Sequence, residues 1–189
     1  SKRLWLQEGL GVCLTPRNVV FGEYAERRHV RPYNTDSADG DTRLVIFIDW
    51  GTSHAYVGAA HVHLTGRWVV FAERKEVDTT YPRFRKIVEA FVRQCTERTG
   101  GRPPYMMACD GAVKSETLWL KNTYQSVCEG GVWSLPKDWE QRLDWGLALI
   151  SSMLDPADGT KPRLYFAADL SASTDDSVMG LRGAMVSYT

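Results

Sequence analysis

The chain has no Cys-x-x-Cys pair, no Gly-x4-Gly-Lys-Ser/Thr loop, no apolar run long enough to span a bilayer, and no excess of charge of either sign. Each absence excludes something. The four cysteines, Cys13, Cys95, Cys109 and Cys128, stand far apart, with no histidine at zinc-finger spacing, so reduced thiols in a cytosolic protein are expected rather than a disulfide framework or a zinc module. Without the glycine-rich phosphate loop there is no P-loop motor in this stretch. Without an apolar span or a leader pattern, neither membrane insertion nor secretion is expected. Lys plus Arg and Asp plus Glu number 23 each, so no global field drives the chain onto DNA, although local clustering still can. No repeat or low-complexity tract is visible. The chain opens on Ser1 rather than Met, as an excised domain would.

What is present is organised around residues 43–60, RLVIFIDWGTSHAYVGAA. Five apolar residues, Leu44 to Ile48, deliver one carboxylate, Asp49, to a Trp-Gly-Thr-Ser turn that reverses the chain into a second apolar run. A buried strand that stops on an acid places it at the carboxyl edge of a sheet, where ligands bind in α/β folds. The same pattern also describes an ordinary strand end whose Asp caps the turn.

The 189 residues suit one domain with a sizeable core. Residues 1–42 read as an N-terminal arm and linker: 19–24 is apolar enough for a short strand, 26–32 is basic and ends on Pro32, and 35–41 is polar. The domain proper, 43–189, begins with strands at 43–49, 55–64 and 67–77, an antiparallel meander. A helix over 82–98 places Phe84, Ile87, Val88, Phe91, Val92 and Cys95 on one face. A fourth strand, 105–110, again ends on an acid followed by glycine. Next come a helix over 115–129 and a strand over 132–135. Another helix runs from an Asp138 cap to 154, with Trp139, Leu143, Leu147, Ile150 and Leu154 inward, and a last strand spans 163–167. Asp175-Asp176 opens an amphipathic terminal helix in which Val178, Leu181, Met185 and Tyr188 share a face.

Three antiparallel strands, then helix, strand, helix, strand and a terminal helix, is the element order of the ribonuclease-H-like fold. The expectation is an α/β domain whose central mixed sheet, of five-stranded type, joins an antiparallel meander to parallel strands and is flanked by helices. In that fold the first and fourth strands are parallel neighbours, so Asp49 and Asp110 meet at one edge and the terminal helix can bring Asp175 or Asp176 to them. Carboxylates crowded together raise one another's pKa, and divalent metal removes that penalty. Hard oxygen ligands with room for water suit Mg²⁺ or Mn²⁺, and two such ions can hydrolyse a phosphodiester.

The motifs carry a resemblance. STDDSVMGLRGAMVSYT resembles the closing motif of the nuclease domain of the large terminase subunit of tailed bacteriophages, IFIDWGTSHAYVGAAHV its first motif, YMMACDGAVKSETLWL its second, and LPKDWEQRLDWGLALISSML the lysine-bearing helix between second and third. NVVFGEYAERRHVRPY is similar to the segment that enters that domain. The resemblance implies a metal-dependent endonuclease that cuts double-stranded viral DNA during packaging, using two Mg²⁺ or Mn²⁺ ions, in the cytoplasm of the host. It implies that Asp49 binds both metals, that Asp110 completes one ion and Asp176 the other, and that Asp175 caps the helix or orients from outside. It also implies an ATPase domain, a small terminase subunit and a portal as partners, with no membrane. Two departures stand out: the missing ATP loop leaves at most the nuclease piece of a terminase, and the segment between Phe166 and Asp175 is short where relatives often carry a hairpin near the DNA.

Around this set, Lys137, Lys114 and Arg142 are candidates for DNA phosphate, against a solvated helix face; Lys121 shares that second reading. His54, beside the Asp49 turn, is an outer-site candidate. His61 and His63 read as packing or surface residues, and Glu73 and Glu116 as solvated carboxylates rather than a fourth acid. Trp50 and Trp68 fit core better than base stacking. Three other readings stay open. Asp-x-Gly-Thr-Ser also resembles the phosphate loop of actin-like ATPases and sugar kinases, although one copy argues against them. A resolvase or transposase type would share fold and metal chemistry, and a non-catalytic packaging adaptor would share the fold alone.

Overall fold

The computed structural model describes residues 21–35, 40–134 and 143–170, together with Leu181 and Met185. In chain order the elements are α1 (Glu26–His29), β1 (Val30–Arg31), β2 (Thr42–Asp49), β3 (His54–His63), β4 (Trp68–Val77) and α2 (Tyr81–Arg98). There follow β5 (Met106–Cys109), α3 (Lys114–Tyr124), β6 (Val132–Ser134), α4 (Leu143–Leu154) and β7 (Leu164–Ala167). The seven strands among the described residues form one sheet in the order β1-β7-β4-β3-β2-β5-β6.

The meander β2-β3-β4 is antiparallel, and β5 lies parallel to β2 with β6 parallel beyond it. This is the ribonuclease-H-like order expected from the sequence. The sheet is wider than the five strands expected, because β7 joins β4 in parallel and β1 joins β7 outside it. The apolar segment expected as a strand over 19–24 is, across its described residues 21–24, a turn closed by Tyr24 N–H donating to the Phe21 carbonyl at 3.0 Å. The strand of that region comes later, at Val30–Arg31, opposite Phe166 and Ala167. Two residues are too few to leave a period-2 pattern; tertiary pairing makes this strand.

Alternation assigns the two faces. Leu44, Ile46 and Ile48 point toward α2, whose Phe84, Val88, Phe91, Val92 and Cys95 are buried as their spacing predicted, with Ile87 partly buried. Phe84 and Val88 are fully buried, each contributing roughly 1.5–3 kcal/mol. Trp50 is buried between the Phe84 and Trp119 rings, at 5.5 and 5.9 Å, and so pins the end of β2 to both α2 and α3. A bulge where Ala59 gives way to Ala60 inserts Phe71 into β4, and its ring lies 4.5 Å from that of His61. The first segment joins the core through His29, fully buried. Its Nδ1 accepts the Ala25 N–H at 2.9 Å, which leaves Nε2–H to donate to the Leu154 carbonyl at 2.9 Å.

Cys95, Cys109 and Cys128 are buried free thiols. Among the described residues no helix is long and apolar enough to cross a membrane.

Candidate active site

Two strands end at the same edge. Parallel pairing sets Ile48 beside Cys109, so the next residue of each chain, Asp49 and Asp110, leaves the sheet as a neighbour of the other. Their Cα atoms stand about one strand spacing apart, roughly 4.8 Å. Asp110 N–H donates to the Ile48 carbonyl at 3.3 Å, which continues the ladder past the end of β5.

The turn after Asp49 is held by glycine. A Cβ on Gly51 would lie 2.1 Å from the His54 carbonyl oxygen, so only glycine lets the chain reverse this tightly beside the acid. The two following residues are fixed from below, with Thr79 N–H donating to the Thr52 carbonyl and Asp78 N–H to that of Ser53.

The two carboxylates share an electrostatic problem. Loss of hydration to the surrounding walls pushes the Asp49 pKa up, even though part of its surface stays open to solvent. Burial likewise raises that of Asp110, and the Asp49 charge raises it further; the Trp50 backbone N–H, donating to the Asp110 carboxylate, opposes both. The opposition is partial. Among the described residues Asp110 Oδ1 is buried with no hydrogen-bond partner. A buried, orphaned oxygen of an acid that faces a second acid suits a cation, and carboxylate oxygens suit Mg²⁺ or Mn²⁺. These two residues therefore fit a hard divalent ion. Among the described residues, no third His, Cys, Asp or Glu joins them.

The cleft at this edge, about 460 Å³, is floored by Phe47, Tyr56 and Ala108, with Asp49, Asp110 and Ala112 around it. Phe47 and Tyr56 stack at 6.1 Å across Gly58, where a Cβ would lie 2.4 Å from the Phe47 ring. Glu73 lies beside Tyr56 on the same face, its Oε2 accepting the Tyr56 hydroxyl at 2.7 Å and the Leu181 backbone N–H at 2.6 Å. Burial first, then the Glu73 charge, pushes the Tyr56 pKa well above its ordinary value, so it stays a phenol.

The other expected residues fall as follows. His54 is exposed and opens β3 two residues before Tyr56, which places it on the face of the two acids. Lys114 is exposed at the start of α3, four residues past Asp110. Asp175, Asp176, Lys137 and Arg142 lie outside the described residues. His61 is buried, shares a 2.5 Å hydrogen bond with the Tyr33 hydroxyl, and is pushed down to about 4, first by burial and then by Arg98. His63 bonds Thr65 at 2.7 Å at the surface.

Glu116 was expected to be solvated. Instead it is buried, its two oxygens held by Arg85 Nε and Nη2 at 2.6 Å each. Its charge is consumed by that fork, so it is not a site acid. Glu73 is not a solvated acid either, since it is partly buried and bonded to Tyr56 and Leu181. Gly58 opposite Glu73 and the alternation of β4 place it on the acids' face, but its link to Leu181 depends on folding across 108 positions.

No family model matches the chain, and no curated protein sequence matches it. Among solved structures it is similar to the nuclease domain of the large terminase g2p of bacteriophage SPP1 with bound Mn, at 13% identity and a TM-score of 0.40, covering 74% of this chain and 70% of that one. It is also similar to a Ppx/GppA family member of Aquifex aeolicus, at 13% identity and a TM-score of 0.37, covering 61% of this chain. The match spans only 40% of that second structure's length. A third, an exopolyphosphatase-like protein, matches at 13% identity and a TM-score of 0.32 over 55% of this chain and 36% of its own. Likeness at this level is silent on activity.

Proposed function

We propose that this chain is a metal-dependent endonuclease domain that hydrolyses phosphodiester bonds of double-stranded viral DNA during genome packaging, as the nuclease part of a terminase large subunit. One observation carries the reading: Asp49 and Asp110, on adjacent parallel strands, both have raised pKa values, and one Asp110 oxygen is buried and orphaned among the described residues. An acid pair with no cation is an unfavourable arrangement that metal relieves. Asp49 and Asp110 would hold divalent metal, with Asp176 as a further ligand and Asp175 outside it, the last two on the resemblance alone. Bound metal supplies Lewis acidity toward water and toward the phosphoryl oxygens. The chain's own part is to hold the carboxylates at one edge, to line the approach with Phe47 and Tyr56, and to keep the Tyr56 hydroxyl donating to Glu73 rather than to substrate.

Lys114, Lys137 and Arg142 are proposed phosphate contacts, and His54 an outer-site residue. The ATPase domain, small subunit and portal are proposed partners, and the host cytoplasm the proposed place of action. The test is conversion of supercoiled plasmid to nicked and linear forms with Mg²⁺, with Mn²⁺ and with EDTA. Cleavage in either metal and none in EDTA supports the reading; no cleavage in any condition overturns it.

A further inference from the structure

Trp133 is an exposed tryptophan, with 64% of its surface accessible. It stands on β6, the edge strand beside β5, and its register partner is Ala108. Ala108 in turn pairs with Phe47 and lines the acidic cleft, so Trp133 is on the face that carries Asp49 and Asp110. One strand spacing across and two residues along separate it from Asp110, about 8 Å between Cα atoms. That gap lies within the span from a phosphate to the base of a neighbouring nucleotide.

The ring is held in place. Trp133 Nε1–H donates to the Gly130 carbonyl at 2.7 Å, and the Gly130-Gly131 turn that feeds β6 is fixed in its own right. A Cβ on Gly130 would lie 2.7 Å from the Tyr105 ring, and Gly131 has a φ of +76°. With its only polar atom satisfied by its own turn, the indole has just its π face to offer, pre-ordered at little further entropic cost. Lys121 and Asn122 of α3 line an open groove of about 640 Å³ that runs along this edge strand and includes Trp133.

We infer that Trp133 is a stacking platform for an unpaired nucleobase next to the scissile phosphate, with Lys121 on the flanking phosphate, so that the preferred substrate is DNA opened at the cut. This rests on the nuclease reading above. An indole face can take a base only where that base is not already stacked in the duplex, and such stacking is tolerant of sequence. A charge such as that of Lys121 positions the strand without reading it.

The experiment is fluorescence anisotropy in low-salt buffer, with calcium to neutralise the carboxylates. The probes are a labelled duplex ending in a short single-stranded overhang, the same duplex blunt-ended, and the overhang duplex with abasic sites. The wild-type chain is expected to bind the overhang DNA most tightly. Trp133→Ala should lose about tenfold on the overhang and little on the blunt duplex. Trp133→Phe, which keeps a stacking face, should retain most of the preference, and the abasic probe should bring wild type down to the level of Trp133→Ala. If Trp133→Ala discriminates overhang from blunt as wild type does, the ring serves something else and the inference is wrong. If wild type binds none of the three probes, the nuclease reading falls with it.

Discussion

Glu73 ties Leu181 to the sheet: its Oε2 accepts the Leu181 backbone N–H at 2.6 Å while also accepting the Tyr56 hydroxyl at 2.7 Å. One carboxylate oxygen thus joins the floor of the acidic cleft to the C-terminal segment, whose Met185, four positions on, is buried in the core. Removing the carboxylate should release both. Glu73→Ala leaves two donors without their acceptor and should cost about 1–3 kcal/mol in urea unfolding, with faster amide exchange at Leu181. Glu73→Gln keeps an oxygen there and should lose less. Unchanged exchange at Leu181 in Glu73→Ala would show that the bond does not hold the segment.

Glu116, which the sequence presented as a solvated carboxylate, is buried and paired with the partly exposed Arg85. Arg85→Ala strands a buried carboxylate and should destabilise by about 1–3 kcal/mol, while the double variant with Glu116→Gln should recover part of the loss. Chemical denaturation of the four proteins in a double-mutant cycle measures this. A near-zero coupling energy would contradict the assigned pairing.

His61 sets a pH dependence with a definite sign. Its folded pKa, about 4, lies below the ordinary value near 6.5, so the unfolded chain takes up a proton that the native one refuses. The stabilisation is complete above about pH 6.5, is lost as pH falls toward 4, and does not decline further below that. The loss is on the order of 3 kcal/mol, from the size of the shift. Urea midpoints across this range, compared with His61→Gln, should show the variant less sensitive to acid. Equal slopes would place the titration elsewhere.

Much of the architecture could be read in advance because it rests on local periodicity. The Phe84 to Cys95 stripe gave α2 and its buried face, and two apolar runs ending in acids gave β2 and β5 and hence the meeting of Asp49 and Asp110. What could not be read depends on partners distant in the chain. Val30–Arg31 is a strand only because Phe166 and Ala167 are beside it, and His29 is buried only because Leu154 offers a carbonyl. Glu116 looked solvated because its helix pattern says nothing of Arg85, 31 positions earlier. Trp133 was not singled out, since a three-residue strand is too short to show which way its side chains point.

The adjacent acids of the C-terminal motif should separate by function. Asp176→Asn is expected to abolish cleavage, whereas Asp175→Asn should keep partial activity, because Asn also caps a helix. Plasmid nicking by the two purified, folded variants decides it. Equal loss in both would mean that the roles are shared or reversed.

The central claim is that Asp49 and Asp110 are a metal site, and melting temperature against Mn²⁺ concentration, for wild type and Asp110→Asn, tests it most directly. Both acids have raised pKa values, so the folded state favours their protonated forms, and their contribution is lost as pH rises past the unfolded value near 3.9 and through the folded one. At neutral pH in EDTA the native pair is therefore strained. Asp110→Asn, which keeps an acceptor for the Trp50 N–H, should melt at the same temperature as wild type or a few degrees above it. Mn²⁺ binds the folded pair and not the unfolded chain, so it should raise the wild-type midpoint progressively and leave the variant nearly unmoved. A wild-type midpoint that ignores millimolar Mn²⁺, or a variant that rises with it equally, would contradict the account.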